Sequence, residues 1–187
     1  MATARFIMGM LCILAFCGNR LPDRHLLSTA INVNQEETVL RKRIVAIAMG
    51  ELGVRELTGK NDGVRVEAYL KVIQLGKGHA WCGAFVSWVY SKAGLAQPRL
   101  GWTPSLFPFR RLTKLPLPGD VFGIYFPALK RIAHAGLVEQ LSSDWVITLE
   151  GNTNLKGSRE GDGVFRKRRH KRTVARFANW IKQENKS

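Results

Sequence analysis

The sequence predicts an α+β domain with N-terminal helices packed on an antiparallel β-sheet. Three observations carry this. Apolar residues between positions 35 and 93 recur at helical spacing. From Asp120 onward the apolar period shortens to two, the mark of half-buried strands. Between these halves, Pro98, Pro104, Pro108, Pro116 and Pro118 interrupt regular structure.

The chain opens on targeting signals. Arg5 supplies a small positive start, and Phe6 to Phe16 is an uncharged run of 11 residues. A spanning helix needs about 20, so the run has the length of a signal-peptide apolar region. Residues 1–30 therefore read as a signal peptide or lipoprotein leader with its linker. Leu14-Ala15-Phe16-Cys17 resembles a lipoprotein box except at Phe16, where a small residue belongs. Ser28-Thr29-Ala30 is the candidate cleavage site. Export to the periplasm, cell envelope or medium is expected, with a lipid anchor at Cys17 as the lesser alternative.

Residues 18–34 show no strong period and read as linker, so the folded domain is expected over 35–181. Gln35 to Val54 reads as a helix through Val39, Leu40, Ile44, Ile47, Ala48 and Met49. Gly53 and Gly59-Lys60-Asn61-Asp62-Gly63 mark a loop. Val64 to Leu75 is a second helix, with Val66, Tyr69, Leu70 and Ile73 on one face, ended by Gly76-Lys77-Gly78. A third runs from Cys82 to Ala93, with Phe85, Val86, Trp88 and Val89 as its buried stripe and Gly94 as its C′ residue. The Gly94–Pro118 connection reads as irregular, and its Trp102, Phe107 and Phe109 could line a groove. Strands follow at Val121–Phe126, Arg131–Gln140, Trp145–Glu150 and Gly163–Lys171. Val174–Ile181 is a fifth strand or a short helix.

Composition bounds the partners. At 187 residues, 45% hydrophobic and 23% charged, the chain can bury one real core and is not disordered. Its net charge of +15 predicts affinity for polyanions without specifying a fold. Residues 155–187 hold 11 Lys or Arg against Glu160, Asp162 and Glu184, which makes +8 of that total. The run Arg166-Lys167-Arg168-Arg169-His170-Lys171-Arg172 reads as a solvated basic stripe that could hold an anionic wall or membrane surface. On that reading, neutralising Arg168, Arg169, Lys171 and Arg172 weakens surface binding and leaves turnover alone.

The chemistry concentrates on Cys82. The chain has three cysteines, and Cys12 and Cys17 fall in the leader. That leaves one thiol in the folded part, at a helix start, where unpaired N–H groups favour thiolate. By itself Cys82 reads as a small buried hydrophobe, His134 as a half-buried strand histidine, and Glu150 as a solvated strand end. Together they read as nucleophile, base and orienter. Strand alternation sets His134 with Ile132, Gly136 and Val138, and Glu150 with Val146 and Thr148. The Leu141-Ser142-Ser143-Asp144 connection suits a hairpin that brings His134 beside Glu150. If the strand continues, Asn152 projects the same way as Glu150. A thiolate would attack a carbonyl carbon, the imidazole would move the proton, and the carboxylate would orient the imidazole. Backbone N–H groups at the helix start could hold the oxyanion.

These segments resemble a known family. Trp81-Cys82-Gly83-Ala84-Phe85-Val86, Pro118-Gly119-Asp120-Val121, His134-Ala135-Gly136 and Glu150-Gly151-Asn152 together look like the CHAP domain, over roughly residues 40–180. The family comprises papain-like cysteine amidases and peptidases, related to the NlpC/P60 hydrolases, that cut bacterial peptidoglycan. The resemblance implies a papain-like CHAP/NlpC-P60 fold, with antiparallel strands behind the nucleophile helix. It implies Cys82 as nucleophile, His134 as base, Glu150 as orienter and Asn152 as fourth polar member. Trp81 and Trp102 are candidate substrate contacts.

The expected activity is that of a peptidoglycan hydrolase, an N-acetylmuramoyl-L-alanine amidase or an endopeptidase, acting as a monomer. No separate wall-binding repeat domain is expected within these residues. The alternatives are a cysteine amidase for a small non-wall substrate, a non-catalytic peptidoglycan- or polyanion-binding module, and a nucleic-acid binder. The leader argues against nucleic acid. No cofactor or metal is expected, because His25, His79 and His170 lack spaced ligand partners and Asn61-Asp62-Gly63 lacks calcium-loop spacing. Gly157 to Gly163 reads as a turn.

Overall fold

The computed structural model describes residues 24–155 and 161–181, with side chains from Asn34 onward. The chain is α+β. Among the described residues three α-helices, α1 (Arg24–Met49), α2 (Val64–Lys71) and α3 (Cys82–Lys92), precede five strands. These are β1 (Val121–Phe126), β2 (Arg131–Leu141), β3 (Trp145–Thr153), β4 (Gly163–His170) and β5 (Arg176–Ala178). They form one sheet in the order β4-β3-β2-β1-β5, and every neighbouring pair is antiparallel. Residues 1–23 of the expected leader, with the Phe6–Phe16 run, Cys12 and Cys17, lie outside the described residues, as do Gly157 and residues 182–187, whereas residues 24–30, with the candidate cleavage site Ser28-Thr29-Ala30, belong to α1. Among the described residues no helix is long and apolar enough to cross a membrane.

Helix α3 is the centre of the core. All nine residues from Cys82 to Tyr90 are buried, so the expected stripe widens to every face of the helix before Ser91. A helix apolar all round must be covered all round. Here α1 contributes Ile44 and Ala48, α2 contributes Tyr69 and Leu70, and one sheet face contributes Val121, Leu137 and Leu149. A smaller cluster of Phe122, Val138 and Val146 covers the other sheet face, with Ile124, Val174 and Phe177 against it. Fully burying a Leu, Val or Phe side chain contributes about 1.5–3 kcal/mol.

The Pro118-Gly119-Asp120 turn ties the layers together. Asp120 is fully buried and accepts from Arg41 Nη1 at 2.8 Å and from the Leu117 N–H at 2.9 Å. Arg41 also donates to the Pro118 carbonyl at 2.9 Å, and the Tyr90 hydroxyl donates to the Gly119 carbonyl at 2.7 Å. Gly119 has φ 86°, which suits glycine. One turn thus fastens α1 and α3 to the start of β1.

Several expected boundaries move. The expected 18–34 linker is helical from Arg24, because no Gly or Pro interrupts the chain from there to Met49. That helix stops five residues before Val54, where Gly50 and Gly53 (φ 88°) turn the chain. Helix α2 ends at Lys71 rather than Leu75, and Gln74 at φ 60° completes the exit. Helix α3 ends as expected, with Gly94 at φ 92°. Strand β3 runs on to Thr153, and β5 is only three residues long.

Candidate active site

Cys82 is the first residue of α3, with Trp81 at its N-cap, and is 5% exposed. No side chain caps that end, so its N–H groups keep their partial positive charge near the thiol. Gly83 lets the helix start approach the Leu100-Gly101 backbone, since a Cβ there would lie 2.7 Å from the Gly101 carbonyl oxygen. The Thr103 hydroxyl lies 3.7 Å from Cys82 Sγ.

His134 arrives from β2 immediately after a bulge. His134 pairs with Ile124, but Ile132 pairs with Tyr125, so Ala133 is the extra residue. The bulge turns Ile132 to the opposite face from His134, against the simple alternation expected, and re-aims the imidazole. Glu150 Oε2 accepts from His134 Nε2 at 2.8 Å. That leaves Nδ1 for Cys82, with which His134 interacts directly. Gly136 makes the reach possible. A Cβ there would meet the Leu149 carbonyl oxygen at 2.7 Å, Phe122 at 2.8 Å and Glu150 Cγ at 3.1 Å.

Glu150 is fully buried and fully engaged. Its Oε1 accepts from Arg169 Nε and Thr148 Oγ1, both at 2.5 Å. Its Oε2 accepts from Arg169 Nη2 at 2.6 Å as well as from His134. Arg169 is therefore no part of a free basic stripe, as the sequence suggested. It forms a bidentate pair with the carboxylate beside the histidine. Strand β4 faces Glu150 with alternate residues, and Arg169 stands opposite Val146 in register. Reading that from sequence required the pairing register, not only the charge run. Other stripe cations are also engaged: Arg166 pairs with Glu139 at 2.7 Å, Lys167 donates to the Asn154 carbonyl at 2.6 Å, and Arg168 stacks 4.0 Å from the Trp145 ring centroid.

The electrostatics follow from these contacts. Burial pushes the Cys82 thiol up, but the adjacent His134 outweighs it and lowers the thiol to about 7, with Thr103 helping. Burial works against a charged His134, yet its bonds to Cys82 and Glu150 raise it to about 9. Burial likewise opposes an ionised Glu150, but Arg169 and His134 hold it well below the usual carboxylate range. The pair therefore favours thiolate and imidazolium near neutral pH, and its titrations belong to both residues together.

Two expected site residues take other places. Asn152 does not join His134. It sits at φ 54°, where the β3–β4 register shifts between Glu150 and Thr153, so the strand does not continue its alternation. With its amide oxygen toward Trp81, Asn152 accepts from the Trp81 backbone N–H at 3.1 Å and from Trp81 Nε1 at 2.9 Å. Its amide also lies 2.8 Å from that of Asn61. Asn152 thus braces the residue before Cys82. Trp81 is fully buried, stacked 5.5 Å from Tyr69, with Nε1 donating to Glu56 at 2.8 Å, and has no surface left for substrate. Trp102 is 58% exposed and lines a groove of about 460 Å³ that also reaches Cys82, Thr103, His79 and Arg131. Thr103 was invisible in the sequence, being an ordinary residue in an irregular segment. A second groove, of about 480 Å³, lies between α1 and Leu117-Pro118 and contains none of the site residues.

The chain matches no protein-family model and no curated protein.

Proposed function

We propose that the chain is a papain-like cysteine hydrolase of the CHAP type, related to the NlpC/P60 enzymes, that cleaves an amide or peptide bond in peptidoglycan. The observation that carries this is the Cys82–His134–Glu150 relay, in which the thiol is lowered to about 7 and the imidazole raised to about 9. A structural cysteine has no use for that pairing, and reactive cysteines sit beside such cations. The order of the segments around Cys82, His134 and Glu150 supports the family, and the family supports the wall substrate.

In the proposed reaction, the Cys82 thiolate attacks the carbonyl carbon, forming a C–S bond and moving an electron pair onto oxygen. The Cys82 N–H at the helix start is placed to steady that oxyanion. The tetrahedral adduct collapses, the C–N bond breaks, and imidazolium His134 gives its proton to the leaving amine. Neutral His134 then takes a proton from water, which attacks the thioester. The C–S bond breaks, leaving the free acid and restoring the thiolate–imidazolium pair. Glu150 remains ionised and orients the ring.

The direct test is incubation of purified sacculi with wild-type and Cys82→Ala protein, followed by mass spectrometry of the released fragments. New amine and carboxyl ends that depend on Cys82 support the reading, and their position distinguishes the muramoyl amide from a peptide bond. Intact sacculi with wild-type protein, or equal release by folded Cys82→Ala protein, reject it.

A further inference from the structure

The groove at Cys82 holds two guanidinium groups and no carboxylate. Arg131 and Arg99 line it, and no Asp or Glu does. Arg99 is locked by main-chain carbonyls, donating to Leu95 at 2.7 Å and to Pro98 at 2.6 Å. Arg131 differs. Its guanidinium carbon lies 4.2 Å from the Trp102 ring centroid, and its hydrogen bond is to the Ile132 carbonyl at 3.2 Å. Neither arginine has a carboxylate within 4.0 Å among the described residues, whereas Arg41, Arg55, Arg65, Arg166 and Arg169 are each paired with one. A guanidinium offers five N–H donors in a rigid fork suited to a carboxylate. Stacking on an indole holds that fork in place at little entropic cost.

We infer that Arg131, seated on Trp102, is a specificity-determining residue that binds a free carboxylate borne by the substrate beside the scissile carbonyl. The inference rests on Cys82 being the nucleophile. The substrate class is then narrower than an amide or peptide: it is one with a carboxylate next to the bond cut, and the neutral carboxamide counterpart binds less well. Arg99 adds field to the groove without being free to turn toward the ligand.

Iodoacetate and iodoacetamide test this without a known substrate, because they differ only in a carboxylate beside the electrophilic carbon. The full-length protein is alkylated with each, and the rate at Cys82 is followed by peptide mass spectrometry, which separates it from Cys12 and Cys17. The iodoacetate-to-iodoacetamide rate ratio is compared with that of N-acetylcysteine. A charge-assisted hydrogen bond corresponds to roughly tenfold or more. The wild-type ratio is expected to exceed the small-thiol ratio by about that factor and to fall with added salt. Arg131→Gln is expected to lose most of the excess, and Arg131→Lys to keep part of it. An unchanged ratio in folded Arg131→Gln assigns the excess to His134 and overturns the inference. A wild-type ratio equal to that of N-acetylcysteine also overturns it, while fast iodoacetamide alkylation in the same experiment leaves Cys82 standing as nucleophile. If Cys82 reacts with iodoacetamide no faster than N-acetylcysteine at pH 7, both the inference and the proposed nucleophile fall.

Discussion

Arg169→Gln separates the site from the surface. The substitution removes two bonds to Glu150, at 2.5 and 2.6 Å, and leaves a carboxylate with no solvent exposure. Breaking a buried ion pair from one side costs about 3–5 kcal/mol. The Arg169 side chain is 21% exposed, so water can partly compensate and the lower end applies, about 3 kcal/mol. For a domain of this size each kcal/mol moves Tm by about 2–4 °C, so a drop of roughly 6–12 °C is expected. Stability in acid should fall further. Glu150 has a depressed folded pKa, so it contributes stability above its unfolded pKa of about 4.3, which is lost as pH falls through the folded value. Without Arg169 that depression shrinks, and acid unfolding begins at higher pH. Turnover should drop about 10- to 100-fold, because Glu150 no longer fixes the imidazole. Arg169→Lys keeps the charge without the fork and should fall between. The control is the triple variant Arg168→Gln, Lys171→Gln, Arg172→Gln, which should keep its Tm and lose salt-sensitive binding to sacculi. Thermal melts and the pH profile of Cys82 alkylation decide the matter. An Arg169→Gln protein that melts within about 2 °C of wild type with an unaltered profile would refute the reasoning.

Three further outcomes are expected. The thiolate–imidazolium pair should be populated between about pH 7 and pH 9, because Cys82 loses its charge as pH falls through about 7 and His134 loses its charge as pH rises through about 9. A bell-shaped kcat/KM with limbs near those values is the check, and a single limb near the ordinary thiol pKa contradicts it. Asn152→Ala should lower the rate about tenfold by loosening Trp81 while leaving the His134 limb in place; movement of that limb would return Asn152 to the histidine. The leader with its apolar run after Arg5 should be missing from the mature protein or retained as an anchor, and finding the full-length chain soluble in the cytoplasm of its native host rejects export.

The order of elements and the apposition of His134 with Glu150 were legible because they follow from period and hairpin spacing. Alternation on β3 places Glu150 with Thr148, and the structure joins them by a 2.5 Å hydrogen bond. What was not legible depends on breaks in period. Asn152 shares Glu150's parity, but its left-handed conformation turns it onto Trp81. Ile132 shares His134's parity, but the extra residue at Ala133 reverses it. Arg169 was hidden for a different reason. Seven consecutive cationic or imidazole residues look solvated, and only the β3–β4 register shows that one of them faces a buried carboxylate. Trp81 adjoins Cys82 in sequence, which suggests a substrate contact, whereas its ring is buried in the Tyr69 stack.

Burial and charge in the site explain why Arg169 is needed at all. Cys82 and His134 are both almost out of solvent, at 5% and 8% exposure, and burial opposes charge on each. An ion pair there needs a third charge that does not itself give way. Glu150 alone would not serve, because a fully buried carboxylate facing one imidazolium could take its proton and leave a neutral, inert triad. Arg169 removes that option. Its permanent charge and two bonds keep Glu150 ionised well below the usual carboxylate range. Glu150 can then stabilise the imidazolium, and the imidazolium the thiolate. The charge state of the Cys82–His134 pair thus depends on β4, two strands away from His134, through a residue that reads in sequence as surface charge.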